Sequence, residues 1–223
     1  MQILSTANSI SLPHCLIYGP PKIGKTVAAA TAPKPFIFDC DQGVSSLNGT
    51  STPYFDITTW AQWCEATKWW FESTEAKQFE TLVIDDLTEV AELFLVMEKP
   101  KHKNLMQAYG ALNDEMMRLI RLYRQPRDRT TVFICKQDRI ADTLTGGLIY
   151  APMIPGKAVQ QMLPYLVGEV YQMYLWTDPQ GVAHRCLRTA RDSTNSFDAG
   201  SRSGKLAPVE FANLTNIFNK VKS

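Results

Sequence analysis

Gly19-Pro20-Pro21-Lys22-Ile23-Gly24-Lys25-Thr26 is the stretch on which the fold of this chain turns. It fits G-x-x-x-x-G-K-[ST], a pattern that binds nucleotide phosphates. The two glycines allow a tight turn that aims successive backbone N–H groups inward as an anion nest. Pro20, Pro21, Lys22 and Ile23 form the arc between them. Lys25 can then reach the β- and γ-phosphates of ATP, and the Thr26 hydroxyl can ligate Mg²⁺. The flanks supply the context such a pattern needs. His14–Tyr18 reads as an apolar strand before the loop, and Val27–Thr31 reads as a helix whose positive end faces the phosphates.

Composition bounds what surrounds this loop. The chain has 223 residues, 45% of them hydrophobic and 20% charged, enough for one α/β domain with a real core. With Lys+Arg 23 against Asp+Glu 22, the net charge of +1 gives no global basic field, so any nucleic-acid contact must come from a local patch. The first ten residues lack the pattern of a signal peptide, and no apolar run reaches the length of a membrane span. The five cysteines are dispersed, without a C-x-x-C pair. They read as reduced thiols in a cytoplasmic protein, with neither a zinc site nor a disulfide framework.

Working outward, residues 1–13 read as a lead-in tail. Phe36–Phe38 is a short buried strand ending in the polar turn Asp39-Cys40-Asp41-Gln42-Gly43, and Tyr54–Thr58 is another short strand. Thr59 caps a helix that carries Trp60, Trp63, Trp70 and Phe71 at helical spacing. An apolar helix face fits these rings better than base stacking. Glu80–Asp86 is a strand closed by two carboxylates, of which Asp85 fits the acidic residue that orients the Mg²⁺ shell held by Thr26.

A helix from Leu87 breaks at the basic segment Lys99-Pro100-Lys101-His102-Lys103. A long helix follows with Leu105, Tyr109, Leu112, Met116, Leu119 and Tyr123 on one stripe. Thr130–Cys135 is a strand ending at Lys136-Gln137, and residues 138–156 form a loop or an irregular hairpin. A helix over 157–166 and strands near 169–176 and 184–189 complete the sheet. Residues 192–207, Ser/Gly-rich to 204, read as a mobile loop, and Pro208 opens a C-terminal helix to residue 223.

Several residues could activate or sense the attacking water: Asp39, Asp41, Asp86, Glu89 and the strand-end amide of Gln137. Two segments could meet nucleic acid. Lys99, Lys101, His102 and Lys103 place four basic groups in five residues, and 138–153 joins Arg139 and Tyr150 to a glycine-rich turn. A solvated interhelical loop is the plainer reading of the first. Nothing here reads base sequence.

Taken in order, GPPKIGKT (19–26), FIFDCDQG (36–43), TLVIDDLTEV (81–90), YGALNDEMMRLIRLY (109–123), TVFICKQ (131–137) and IPGKAVQQMLPYLVGEVYQMY (154–174) resemble a RecA-like recombinase core over about residues 12 to 207. The similarity is closest to the short, phage-type RecA-related ATPases grouped with single-strand annealing proteins of the Sak class. The resemblance implies an α/β P-loop NTPase fold, with a mostly parallel sheet flanked by helices. It implies ATP and Mg²⁺ as cofactors and single-stranded DNA as partner. It also implies self-association into a filament or ring, a single-strand-binding protein as a further partner, and the host cytoplasm as location.

On this resemblance Asp41 occupies the position of the water-activating Glu, one methylene shorter, and Gln137 that of the γ-phosphate sensor. Residues 138–153 match the second DNA loop, and 99–103 fall near the first. Arg188 and Arg191 fall near the strand that offers basic residues to a neighbouring subunit's γ-phosphate. The chain departs from the larger recombinases in lacking their N-terminal assembly domain. Three functions compete: a DNA-dependent ATPase promoting annealing or strand exchange, a nucleotide-gated switch acting on a protein partner, and a small P-loop kinase.

Overall fold

Alternation along the strands decides the layering. The computed structural model describes residues 12–141, 146–191 and 196–223. In β1 (Cys15–Tyr18) all four residues are buried. Leu16 and Tyr18 join one apolar cluster, while Cys15 and Ile17 join the other. Side chains alternate across a strand, so a strand covered on both faces reads as an unbroken apolar run. The same division recurs in β2 (Pro35–Asp39), where Phe36 and Phe38 face one way and Ile37 the other. β3 (Tyr54–Asp56) is a half-exposed edge, whereas β4 (Thr81–Asp85) is buried throughout. The remaining strands are β5 (Thr130–Ala141), β6 (Leu148–Met153), β7 (Glu169–Thr177), β8 (Ala183–Arg188), β9 (Gly200–Ser201) and β10 (Val209–Phe211).

The sheet runs β10-β8-β7-β1-β5-β4-β2-β3. From β7 to β3 every pairing is parallel. β8 and β10 add antiparallel at the far edge, and β9 pairs with the start of β7. Helices cover both faces. α1 (Lys25–Ala29) and α6 (Leu214–Lys222) bury Ala28, Ala29, Leu214, Ile217 and Phe218 on one side. On the other lie α2 (Trp60–Glu72), α3 (Leu87–Glu98), α4 (Leu105–Tyr123) and α5 (Lys157–Leu166). The chain is thus a mixed α/β fold with a mostly parallel sheet flanked by helices, as its sequence implies.

The helix read from Thr59 has a local cause and a packed face. Thr59 accepts from the Gln62 N–H while the Gln62 side chain returns to the Thr59 backbone, a capping box. Trp63 and Trp70 are 1% exposed and lie edge-on to Phe38. These rings are core, consistent with an apolar helix face.

Three expectations need correction. The strand read as ending at Lys136-Gln137 continues to Ala141, pairing antiparallel with β6 from Lys136↔Met153 to Ala141↔Leu148. Beyond Gln137 this arm is a two-stranded ribbon, to which Phe197 adds a single parallel bridge at Tyr150. Second, Pro208 does not open the C-terminal helix. Val209–Phe211 pair with β8, and α6 begins at Leu214, where the Asn213 side chain accepts from the Asn216 N–H. Third, the long apolar stripe is only partly covered: Leu112, Met116, Leu119 and Tyr123 are buried, but Leu105 is 61% exposed. Of the two segments read as mobile or trailing, 1–11 and 192–195 lie outside the described residues. No helix among the described residues is long and apolar enough to cross a membrane.

Candidate nucleotide site

The Gly19–Thr26 loop sits at the C-terminal end of β1, where ligands of open α/β sheets bind. Gly24 takes a φ of 98° and Lys22 a φ of 61°, left-handed backbone that curls the loop onto itself. A Cβ on Gly19 would lie 2.9 Å from the Met173 carbonyl oxygen, so only glycine lets the loop seat against β7. Lys25 Nζ donates to the carbonyls of Gly19 and Pro20, each at 3.1 Å, and is held across the mouth of the loop. Burial pulls its pKa down, while the charges of Asp86, Asp85 and Asp41 push it up.

Thr26 and Asp85, 59 positions apart in the chain, meet. Thr26 Oγ1 donates to Asp85 Oδ2 at 2.5 Å, both groups buried. Two oxygens of this kind, one carboxylate and one hydroxyl, are the hard donors that Mg²⁺ takes. Gly43 presses on the same pair: a Cβ there would lie 2.6 Å from Asp85 Oδ2 and 2.8 Å from Thr26 Oγ1. The local cause is Asp39, whose Oδ1 accepts the Gly43 N–H at 2.9 Å and folds the 39–43 turn back over the site. Asp39, one of the water-activating candidates, is therefore a buried turn-holder.

The paired strand-end carboxylates are unusually buried. Desolvation raises Asp85 to about 6, against the Thr26 hydrogen bond, and raises Asp86 to about 7, against the Glu89 N–H. Asp86 Oδ1 caps α3 by accepting that N–H at 2.8 Å. Stability then depends on pH with a definite sign. Between the ordinary carboxylate range and pH 7 the folded chain holds protons that the unfolded chain has released. Stability without metal therefore falls as pH rises through that window. Asp86→Asn keeps a capping oxygen and removes the charge. We expect it to raise the metal-free unfolding free energy at pH 8 by on the order of 1–2 kcal/mol and to flatten the pH 5–8 profile. A denaturant titration series checks this, and a profile unchanged from the parent contradicts it.

The other candidates fall around this core. Asp41 is exposed, with Lys136 Nζ 3.5 Å from its Oδ1, and the same Nζ pairs more closely with Glu89. Gln137 Oε1 accepts from Gln172 Nε2 at 3.3 Å, linking the hairpin root to β7. Arg188 is half-buried, its guanidinium 4.3 Å from the Phe197 ring and 5.0 Å from that of Tyr174. Arg191 pairs with Asp198 at 3.2 Å. These two arginines stand with their own aromatic and acidic neighbours.

The β5–β6 hairpin and the 99–103 segment leave the sheet at the same end. Lys136↔Met153 is the root of the β5–β6 hairpin, whose five further ladder positions span about 17 Å along the ribbon. The ribbon lies against the body of the protein, where the Tyr150 carbonyl accepts from the Tyr18 hydroxyl at 2.9 Å and the Tyr150 ring stacks on Phe197. α4 lies at the same end. A Cβ on Gly156, just past β6, would touch Asn113 Oδ1, so the middle of α4 stands level with the hairpin root. The turns from Leu105 to Leu112 reach about 12 Å further. Arg139 lies 5.5 Å over the Tyr150 ring on the hairpin. In the 99–103 segment Glu98 accepts from Lys101 and His102, which leaves Lys99 and Lys103 without an acidic partner among the described residues.

Three residues at the site carry little signal in the sequence. Gly43 reads there as part of a polar turn, and only its placement against Asp85 gives it a role. Lys136 reads as no more than the neighbour of Gln137. Arg185 on β8 donates from Nε to the Ile23 carbonyl at 3.0 Å and fills the space a Cβ on Gly24 would need. Its one sequence signal is strand alternation, which puts it on the face opposite Arg188.

Residues 13–203 match a family model described as AAA domain. No curated protein matches the chain. Among solved structures it is similar to the RadB recombinase, with 12% identity over 82% of this chain and 90% of that one and a TM-score of 0.46. A KaiC-like protein of Pyrococcus horikoshii is 12% identical over 78% of this chain and 76% of that one, with a TM-score of 0.39. The flagellar accessory protein FlaH of Methanocaldococcus jannaschii is 10% identical over 85% and 84%, with a TM-score of 0.39.

Proposed function

This chain belongs to the AAA domain family, and on that premise we propose that it is an ATPase that binds single-stranded DNA and promotes annealing or strand exchange. The observation that carries the reading is the shared location of the β5–β6 hairpin and the first turns of α4 at one end of the sheet. They rise from the same sheet end as the Gly19–Thr26 loop and bring Arg139, Tyr150 and the 99–103 basic groups with them. The resemblance to phage-type annealing ATPases supports it. On that resemblance we also read a homo-oligomer, filament or ring, with Arg188 and Arg191 facing a neighbour's nucleotide. A single-strand-binding protein as a further partner and the host cytoplasm as location follow from the same reading.

The residues divide the work as follows. The loop amides and Lys25 would hold the phosphates, and Thr26 with Asp85 would hold Mg²⁺, which neutralises charge on the phosphate oxygens when bound. In hydrolysis the oxygen of water bonds to the γ-phosphorus, the bridging oxygen departs with ADP, and the proton passes to a carboxylate. Asp41 and Glu89 are the exposed carboxylates at hand, and Gln137 connects the site to the hairpin. Asp41 is ion-paired, which also favours a second reading: slow turnover, with ATP binding itself gating a protein partner.

Fluorescence anisotropy of a labelled oligo-dT strand, titrated at two salt concentrations with an ATP analogue, tests the DNA assignment. Because Lys101 is already paired with Glu98, Lys99→Glu with Lys103→Glu is the informative variant. We expect binding at least about tenfold weaker and a shallower salt dependence, by roughly 0.7 in slope for each phosphate no longer neutralised. Equal binding by parent and variant contradicts the assignment.

A further inference from the structure

Three charged side chains from three elements meet beside the nucleotide loop. Asp41 follows β2, Glu89 lies in the first turn of α3, and Lys136 is the last residue of β5 before the hairpin arm. Lys136 Nζ bridges the two carboxylates, 3.5 Å from Asp41 Oδ1 and in a still closer pair with Glu89 Oε1. The three side chains are 30–45% exposed, so water reaches them. Of the two carboxylates Asp41 is the one whose charge acts on Lys25, whereas Asp85, paired with Thr26, is buried.

The hairpin is tied to this bridge at its root. The Lys136 N–H donates to Thr88 Oγ1 at 3.2 Å, and Thr88 Oγ1 donates in turn to the Met153 carbonyl at 2.7 Å. Both arms of the hairpin therefore end on one hydroxyl, and the next residue of α3 is Glu89. Because the root ties Lys136 to the turn of α3 that carries Glu89, a displacement of the hairpin separates Lys136 first from Asp41, which belongs to neither element.

We propose that Lys136 is a positioning residue that restrains hydrolysis: it keeps Asp41 and Glu89 ion-paired until the hairpin is engaged and the bridge opens. This rests on the reading of the site as an ATPase. A carboxylate bound to an ammonium is a weaker base and has its oxygens committed, so it takes the proton of an attacking water poorly. Opening the bridge frees one or both carboxylates for that role. The device differs from a lysine that stabilises the phosphates directly, because the two make opposite predictions for removal of the charge.

The test is steady-state hydrolysis by the full chain carrying Lys136→Met, which keeps the stem and removes the ammonium, at saturating Mg²⁺-ATP with and without oligo-dT. The DNA-free kcat rises at least about fivefold, KM stays within about twofold, and the stimulation ratio falls toward one. Lys136→Gln, which likewise removes the ammonium and leaves both carboxylates in place, raises the DNA-free rate in the same way, and it decides the matter if Lys136→Met fails to fold. A DNA-free kcat that falls or stays level in these variants overturns the proposal. If single strands stimulate neither parent nor variant, the DNA reading fails, while the DNA-free rates still decide the latch.

Discussion

Lys25→Ala lowers ATP hydrolysis by about two to three orders of magnitude, the usual cost of losing one well-placed donor to transition-state charge. The side chain has two roles that this variant removes at once. Its ammonium is the cation nearest the phosphates in the loop reading, and its Nζ ties the Gly19 and Pro20 carbonyls together at 3.1 Å. Fluorescent-nucleotide binding separates them. Loss of hydrolysis with retained binding places the effect in the reaction, and loss of both places it in the loop. Circular dichroism should be unchanged, because the strands around the loop keep their burial. Hydrolysis at parental rates would remove the Gly19–Thr26 loop from the chemistry.

Gly43→Ala produces the second large effect, from a residue to which no phosphate contact is assigned. The new methyl would sit 2.6 Å from Asp85 Oδ2 and 2.8 Å from Thr26 Oγ1, inside van der Waals contact. Either the pair is driven apart or the turn held by Asp39 is pushed out. Overpacking of this kind costs about 1–3 kcal/mol, which at the metal pair corresponds to about five- to 150-fold in Mg²⁺-nucleotide affinity. The loss belongs to the Mg²⁺-dependent part of binding, so titrations with Mg²⁺ and with EDTA should differ for the parent and converge for the variant. An affinity and Mg²⁺ dependence equal to the parent would show that Gly43 does not shape the metal pair.

What was legible in the sequence was local. The loop spacing, the acidic end of the Glu80–Asp86 strand and the Thr59 cap each depend on residues a few positions apart, and the structure shows Thr59 capping α2. What was hidden depends on distance along the chain. Arg185 meets Ile23 across 162 positions, and nothing near either residue marks the contact. The segment after Gln137 reads in sequence as a loop or an irregular hairpin, and its register stays hidden because it depends on cross-strand pairs such as Arg139 and Tyr150 that are not neighbours along the chain. Periodicity in α4 identified a stripe but not what covers it. Leu105 and Met106, 61% and 80% exposed, continue the helix past the end of the sheet. Pro208 looked like a helix opener because a three-residue strand is too short to announce itself before the Asn213 cap.

The most direct measurement of the central claim is ATP hydrolysis by the full chain with no DNA, with oligo-dT and with duplex, run beside Lys25→Ala. A DNA-dependent ATPase built on this loop is stimulated by single strands, little by duplex, and not at all in the variant. Flat and negligible hydrolysis in all three conditions would contradict that function and leave nucleotide-gated partner binding as the work of the site.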